Sequence, residues 1–582
     1  MTGCAPARGP TNVSHVAPSP PVSAKNNDAV ASPPNATSAL HPLLAKLPSI
    51  RLVLRPEPGE KPKVHVDLFA QGGIAGQLRL AVGAVEDISN VVAEDAAGKL
   101  DVTVANAPPG VAATFQRPTN GAWHVAYDVR ATSNPGGNTF EVVVAEDRFR
   151  ALGERVYFMP AGMENEKVAL TVVIDGKTIV APRSASSLGI GQKTREGYGR
   201  TLARAAFLAG SLGGAMFDEG IDHDETVWMG YNAFDPRPAS AEVATVRTAL
   251  REMWHGGGDE DFVLLFVSST RPLGAYSLVP RAGSLLVHLG PSEPWSASLR
   301  VAITQHLMRA WIGGELRFAP REGATEAESL WFADGFARYF AARALRRLGL
   351  LSVEDTRDFV NGLLSAQATS PYRGKSNATV AALAATTPVA RAHLMAHGAL
   401  YAVRLGALIR SRTKGEHSLD GVVANLVEKG RAARAPLPHS AWIEAITAEL
   451  GNGEKVQFDR FIDGGEDVVL AADGIGSCFR GAPGDYTAFD LGFDLQETLD
   501  HAGRTIVGLA PNGPAAKAGL LPTDVLDDAT FRHGHAEVPV ALSVLRNGQK
   551  VDVRYAPRGA RGKGLLFTRK ANIPDLACGD VL

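Results

Sequence analysis

The chain has 582 residues, with 59 Lys plus Arg against 61 Asp plus Glu, 45% hydrophobic and 21% charged residues. That length exceeds what one hydrophobic core organises and implies roughly three or four domains. The near-neutral balance gives no field to recruit nucleic acid or an anionic membrane surface, and no uninterrupted run of about 18 apolar residues marks a transmembrane helix. Three cysteines, Cys4, Cys478 and Cys578, are too few for a disulfide framework or a cysteine-rich zinc site.

Residues 1–47 read as a disordered tether, dense in Pro, Ser, Ala and Asn and without apolar periodicity. The opening MTGCAPARGP contains Thr-Gly-Cys-Ala, which resembles the end of a bacterial lipoprotein signal, although no charged or apolar region precedes it. Two readings stay open. In one, the start lies upstream, Cys4 carries a lipid and the protein sits in the cell envelope or periplasm; in the other, Cys4 is an ordinary thiol of a cytoplasmic protein.

Residues 48–185 alternate apolar and polar positions in short segments such as IRLVLRPEP, KVHVDLFA, HVAYDVRA and VALTVVID, separated by Pro and Gly. Period two with turn residues between segments predicts antiparallel strands in a β-sandwich. Within it, PAGMENEKV is similar to the Gly-Ala-Met-Glu-Asn substrate motif of a large aminopeptidase family, but stands too far from the helices downstream. A surface loop is the expectation there.

From residue 186 to 465 the period changes. AEVATVRTALREMW places Val243, Val246, Leu250, Met253 and Trp254 at helical spacing, with Ser240 as the expected cap and Glu242 in the first turn. DFVLLFVSS and GSLLVHLG read as strands of a mixed sheet. Helical patterns follow in VAITQHLMRAWIGG, ESLWFADGFARYFAARALRRLG, ARAHLMAHGALYAVRLGALIRS, SLDGVVANLVEKG and SAWIEAITAEL. In DEGIDHDETVW, Asp218, Glu219, Asp222, His223 and Asp224 form an acidic cluster without a second histidine at ligand spacing, so solvated loop residues are expected. Nothing resembles a Gly-x-Ser-x-Gly nucleophile elbow.

Two segments carry the chemistry. In a zinc peptidase of the H-E-x-x-H type, two histidines at i and i+4 share one helix face, the Glu between them is the general base, and a carboxylate from a second helix completes the ligands. Here Trp311 and the run Trp331-Phe332-Ala333-Asp334-Gly335 occupy the flanks of such a site. With the order β-sandwich, mixed α/β unit and C-terminal strands, the chain resembles the glycyl aminopeptidase family of gluzincin metallopeptidases, over most of its length.

That resemblance implies a multidomain α+β fold: an N-terminal β-sandwich, a thermolysin-like mainly helical domain and a C-terminal PDZ-like domain at 466–582. It also implies zinc, yet the residues at the family positions are the wrong ones. The two histidine ligands fall on Gln305 and Arg309, the base on His306, the third ligand on Asp334 and an oxyanion-stabilising Tyr on Met395. A guanidinium offers only donors, an amide oxygen is a poor zinc ligand, and a thioether gives an oxyanion nothing.

The expectation is therefore a catalytically inactive peptidase relative without a cofactor, in which Arg309 replaces the metal and pairs with Asp334. It would bind a peptide or protein partner or act as a scaffold. The rival reading is an atypical metallo-aminopeptidase whose zinc is held by His288, His306 and Asp334.

The last unit carries GPAAKAGLLPTDVL, which is similar to the core of bacterial PDZ domains, with Leu491, Gly492 and Phe493 as the peptide-carboxylate loop and Asn547-Gly548 as a hairpin turn. The stretch DDATFRHGHAEVP is too short to supply the helix that walls a PDZ groove. Cys478 and Cys578 flank this unit, and either a closing disulfide or two free thiols fits the sequence.

Overall fold

The computed structural model describes residues 44–72, 76–131, 142–180, 183–219, 222–230, 233–258, 261–321, 323–578 and 582. Cys4 lies outside them, as do Gly220 and Ile221 and the side chains of Asp218, Glu219 and Asp222 in the acidic cluster. The fold is a mixed α/β assembly, β-rich at its start and helical in its later half.

A seven-stranded sheet opens the molecule. It runs Lys193–Tyr198, Lys167–Ile174, Ser49–Glu57, Lys63–Ala70, Trp123–Arg130, Ile88–Asp95, Gly98–Leu100. Its alternate residues Leu52, Val66 and Val125 share a core with Leu78, Ala113 and Phe115 of a four-stranded sheet, which is the period-two pattern read off the sequence. One pairing departs from the all-antiparallel expectation: Ser49–Glu57 runs parallel to Lys167–Ile174, with Ile50 opposite Leu170. The long intervening chain supplies the crossover that a parallel pair requires.

Strands past residue 185 still belong to these sheets. Lys193–Tyr198 forms an edge of the first, and Ala206–Gly210 is the middle of a five-stranded sheet, between Arg183–Ser186 and Arg148–Leu152. AFLAG is buried on both faces, so its sequence shows no alternation to read.

A mixed sheet follows in the order Leu212–Glu219, Asp222–Met229, Asp261–Ser268, Ser284–Leu289, Ser277–Arg281, with parallel inner pairs and antiparallel edges. One face presents Phe262, Leu264, Phe266, Leu285, Val287 and Leu289 to the helical lobe. The other presents Val263, Leu265, Val267 and Leu286 to Leu152 and Leu208 of the preceding sheet. The helix Pro236–Met253 crosses between two of its strands. Asp235 caps it by accepting from the Arg237 amide at 3.0 Å, and Pro236 at the first position needs no amide partner. Ser240, the expected cap, therefore lies one turn inside and donates to the Pro236 carbonyl.

The helical lobe comprises Ala297–Met308, Ala337–Arg347, Val353–Ala368, Pro388–Thr413, Leu419–Ala433 and His439–Leu450, with shorter turns between. Pro388–Thr413 is long and apolar enough to cross a membrane, but 72% of its most apolar window is buried inside the protein, as in a core helix. Two glycines let it lie against the Trp331–Phe336 turn. A Cβ on Gly398 would stand 1.8 Å from the Trp331 carbonyl oxygen, and one on Gly335 would stand 2.8 Å from the backbone of Gly398 and Ala399.

The C-terminal segment is less separate than its sequence suggests. A ribbon of Phe479–Phe489 with Arg558–Arg569 packs on the Val353–Ala368 helix, where the Asn361 side chain bonds both the amide and the carbonyl of Phe567 at 2.9 Å. Cys478 and Cys578 are disulfide-bonded, with Cα atoms 5.1 Å apart, inside the main core, which selects one of the two readings above. The rest is a three-stranded sheet, Val525–Thr530, Val540–Arg546, Gln549–Tyr555, with short helices. The residues between Thr530 and Val540 form turns and no helix, and they dock on the neighbouring domain through the His533 amide and the Leu273 carbonyl at 2.8 Å.

Candidate active-site cleft

The helix Ala297–Met308 starts at Ser296, whose hydroxyl accepts from the Leu299 amide at 3.3 Å. It ends where Trp311 turns into the core and donates its indole N–H to the Gly256 carbonyl at 2.9 Å. Arg309 is the C-terminal cap and keeps right-handed helical angles, so Gln305 and Arg309 remain one turn apart on one face.

Asp334 arrives from Trp331–Phe336, a π-helical turn. Trp331, Phe332 and Phe336 anchor that turn against Trp442, with ring centroids 5.8, 5.6 and 5.1 Å away. Each such pair adds about 0.5–1.5 kcal/mol beyond area burial. Wide turns of this kind recur at functional sites because they redirect one side chain out of the regular helix.

The carboxylate of Asp334 is 4% exposed and both its oxygens are taken. Arg309 Nη2 donates to Oδ1. Arg391 Nε, from the Pro388–Thr413 helix, donates to Oδ2 at 2.8 Å. The Arg309 side chain is 34% exposed and that of Arg391 is 50% exposed, so two cations reach inward from a wetter rim to one buried anion. Gln305 Nε2 donates to the Asp334 main-chain carbonyl at 3.2 Å and lies 3.5 Å from Met395 Sδ. Its other amide atom, Oε1, accepts from Arg338 Nη1 at 3.0 Å.

The predicted Arg309–Asp334 pair is thus present, with Gln305 and Met395 beside it. Arg391 and Arg338 were missed. Both stood at readable places, Arg391 one turn before Met395 and Arg338 one turn after Asp334, but only packing shows which of many arginines face inward. His306 is half-buried beside Phe262, with ring centroids 6.4 Å apart. Burial, and after it the Arg309 charge, pushes its imidazole down to about 4, so it is neutral at physiological pH.

His288 is not brought to this cleft. It alternates with Val287 and Leu289 and so shares the sheet face of Leu286, away from the helical lobe, within electrostatic reach of Arg150 and Arg281. The sheet separates it from His306 and Asp334, and the proposed zinc set of the three does not assemble. Among the described residues no group of three His, Cys, Asp or Glu side chains is placed to hold a metal. The donor set of the cleft itself does not fit zinc, since the Arg309 guanidinium offers only N–H donors and the Asp334 carboxylate already serves two cations.

In the acidic cluster Asp224 pairs with Arg247. In PAGMENEKV, Glu164 accepts from the Gly162 amide at 2.8 Å within a turn of the first domain, and Asn165 accepts from Arg200. Leu491 and Phe493 are buried in the core of the small C-terminal sheet. The Gly492 amide already donates to Asp490 Oδ1 at 2.8 Å, and its carbonyl accepts from Ala510.

An aminopeptidase N family protein from Idiomarina loihiensis superposes with a TM-score of 0.63 at 13% identity, covering 92% of this chain and 100% of the other. The two share a fold. An M1 zinc metallopeptidase from Deinococcus radiodurans gives 0.44 at 16% identity over 72% of this chain and 95% of that one. Yeast LTA4 hydrolase gives 0.43 at 11% identity over 73% and 70%. No protein-family model and no curated protein matches this chain.

Proposed function

We propose that this chain is a non-hydrolytic relative of the zinc aminopeptidases, one that keeps the frame of the fold and binds a peptide or protein rather than cleaving it. The observation that carries this reading is the doubly paired Asp334 carboxylate, with Arg309 and Arg391 where a metal-binding carboxylate would need its oxygens free. Replacing a divalent ion by guanidinium groups preserves the helix-to-helix link and removes both the Lewis acid and the means of lowering a water pKa. Neutral His306 does not replace the missing carboxylate base next to a metal-bound water.

Arg309 and Arg391 share one carboxylate and Arg338 bonds only the neutral Gln305 amide, so the cleft favours a partner that brings acidic groups. The resemblance to glycyl aminopeptidases and a PDZ-like C-terminal unit belongs to the same proposal. So does a place in the bacterial cell envelope, which the Cys478–Cys578 disulfide favours because such bonds persist in oxidising compartments.

The test is hydrolysis of aminoacyl chromogenic substrates, N-terminal glycine included, with and without added zinc. The expected result is no turnover above buffer in either condition. Zinc-dependent cleavage that disappears in Asp334→Ala would overturn the proposal.

A further inference from the structure

The same helix that brings Arg391 to the cleft carries a second constellation on its opposite side. His393 and His397 lie two residues beyond Arg391 and Met395, about 200° around the helix. They line a small cavity together with Trp331, Asn377 and Val380. Both residues are 5% exposed. Their spacing of four places the rings on one face, with centroids 5.4 Å apart.

The hydrogen bonding leaves lone pairs available. His397 Nε2 faces the Phe461 carbonyl at 2.8 Å, and since a carbonyl only accepts, Nε2 carries the proton and Nδ1 is left as the basic nitrogen. His397 Nδ1 and His393 Nδ1 are both buried without a hydrogen-bond partner. A ring N–H held by a main-chain carbonyl is the usual way in which a protein orients an imidazole toward a metal. Two imidazoles bound at about 2.0–2.1 Å to one tetrahedral ion have ring centres about 5 Å apart, close to the spacing here.

The surroundings suit a cation. Asn377 commits its Nδ2 to the Glu328 carbonyl at 2.8 Å, which leaves its amide oxygen as a further donor. Asp467, although paired with Arg373, acts favourably on a positive charge at either histidine. Lys375, at the cavity rim, is exposed. Burial holds both rings neutral at physiological pH, so neither has to lose a proton to coordinate.

We propose that His393 and His397 form a binding site for a borderline divalent transition ion, of the zinc, nickel or copper class, completed by water and separate from the Asp334 cleft. A pair of imidazoles selects these ions over magnesium or calcium, which prefer oxygen ligands. The site is independent of the proposed loss of hydrolysis, and it means that metal found in the purified protein is not by itself metal in the cleft.

The experiment uses the full chain, stripped with chelator and dialysed. Zinc chloride is titrated by calorimetry, and a copper(II)-loaded sample is examined by electron paramagnetic resonance. The expected result is one ion per chain, nitrogen hyperfine structure from two imidazoles, and at least tenfold weaker binding in His393→Ala and in His397→Ala. His417→Ala, at an exposed histidine, should bind as the unmodified chain does. His397 also holds Phe461, so if its replacement lowers the melting temperature, His393→Ala and His393→Gln decide the matter alone. No saturable binding by the unmodified chain would overturn the proposal, as would equal binding by the His393 variants.

Discussion

Two sides of one helix, Pro388–Thr413, meet buried polar groups and treat them in opposite ways. On one side Arg391 joins Arg309 in neutralising Asp334, so the charge balance is built from protein groups fixed in place. On the other, His393 and His397 sit in a cavity with no carboxylate in contact, and burial keeps them uncharged with a lone pair each to spare. Whether a carboxylate lies within hydrogen-bond reach decides the difference. Where one does, protein cations neutralise it; where none does, the buried imidazoles stay uncharged.

The contrast can be broken most forcefully at the carboxylate. Asp334→Asn leaves Arg309 and Arg391 facing each other without their anion, and urea unfolding should show a loss of about 3–5 kcal/mol. Next in size is the helix crossing that both sides share. Gly398→Ala puts a Cβ against the Trp331 carbonyl and should cost about 3 kcal/mol in the same assay, lowering the melting temperature with it.

The histidine side is sharpened by pH. His393 has its pKa pushed down to about 4 by burial, so between about 4 and the ordinary value near 6.5 the unfolded chain binds more protons than the folded one. Its contribution is complete above about 6.5 and is lost as pH falls toward 4, up to about 3 kcal/mol. Stability measured across that window should fall less steeply in His393→Phe than in the unmodified chain. His306, with a similarly lowered value, keeps part of the slope in both.

The smallest effect belongs to Arg309→Met, about 1–2 kcal/mol, because Arg391 still holds the carboxylate. In a cycle with Asp334→Leu the two changes should fail to add by about 1 kcal/mol or more. Additive effects would mean that the pair is not coupled.

Much of the frame was legible. Alternation in KVHVDLFA and HVAYDVRA marked two strands, which the structure pairs, and helical spacing marked the lobe, because each element hides one face and that face sets the period of apolar residues. The Arg309–Asp334 pair was also readable, since the motifs that the two segments resemble place both residues at metal-ligand positions. The boundary at 185 was not, because AFLAG is buried on both sides and shows no period. Neither was the position of His288, whose sheet face depends on which layers stack above and below it.

The sequence by itself determined the donor and acceptor capacity of the cleft: no fold makes a metal ligand of the Arg309 guanidinium, because that capacity belongs to the side chain. Only the tertiary structure decided how many cations meet Asp334 and that His393 and His397 keep unpartnered nitrogens in a shared cavity. Those outcomes depend on the distance between helices, and the close crossing at Gly335 and Gly398 sets that distance through contacts that no single segment contains.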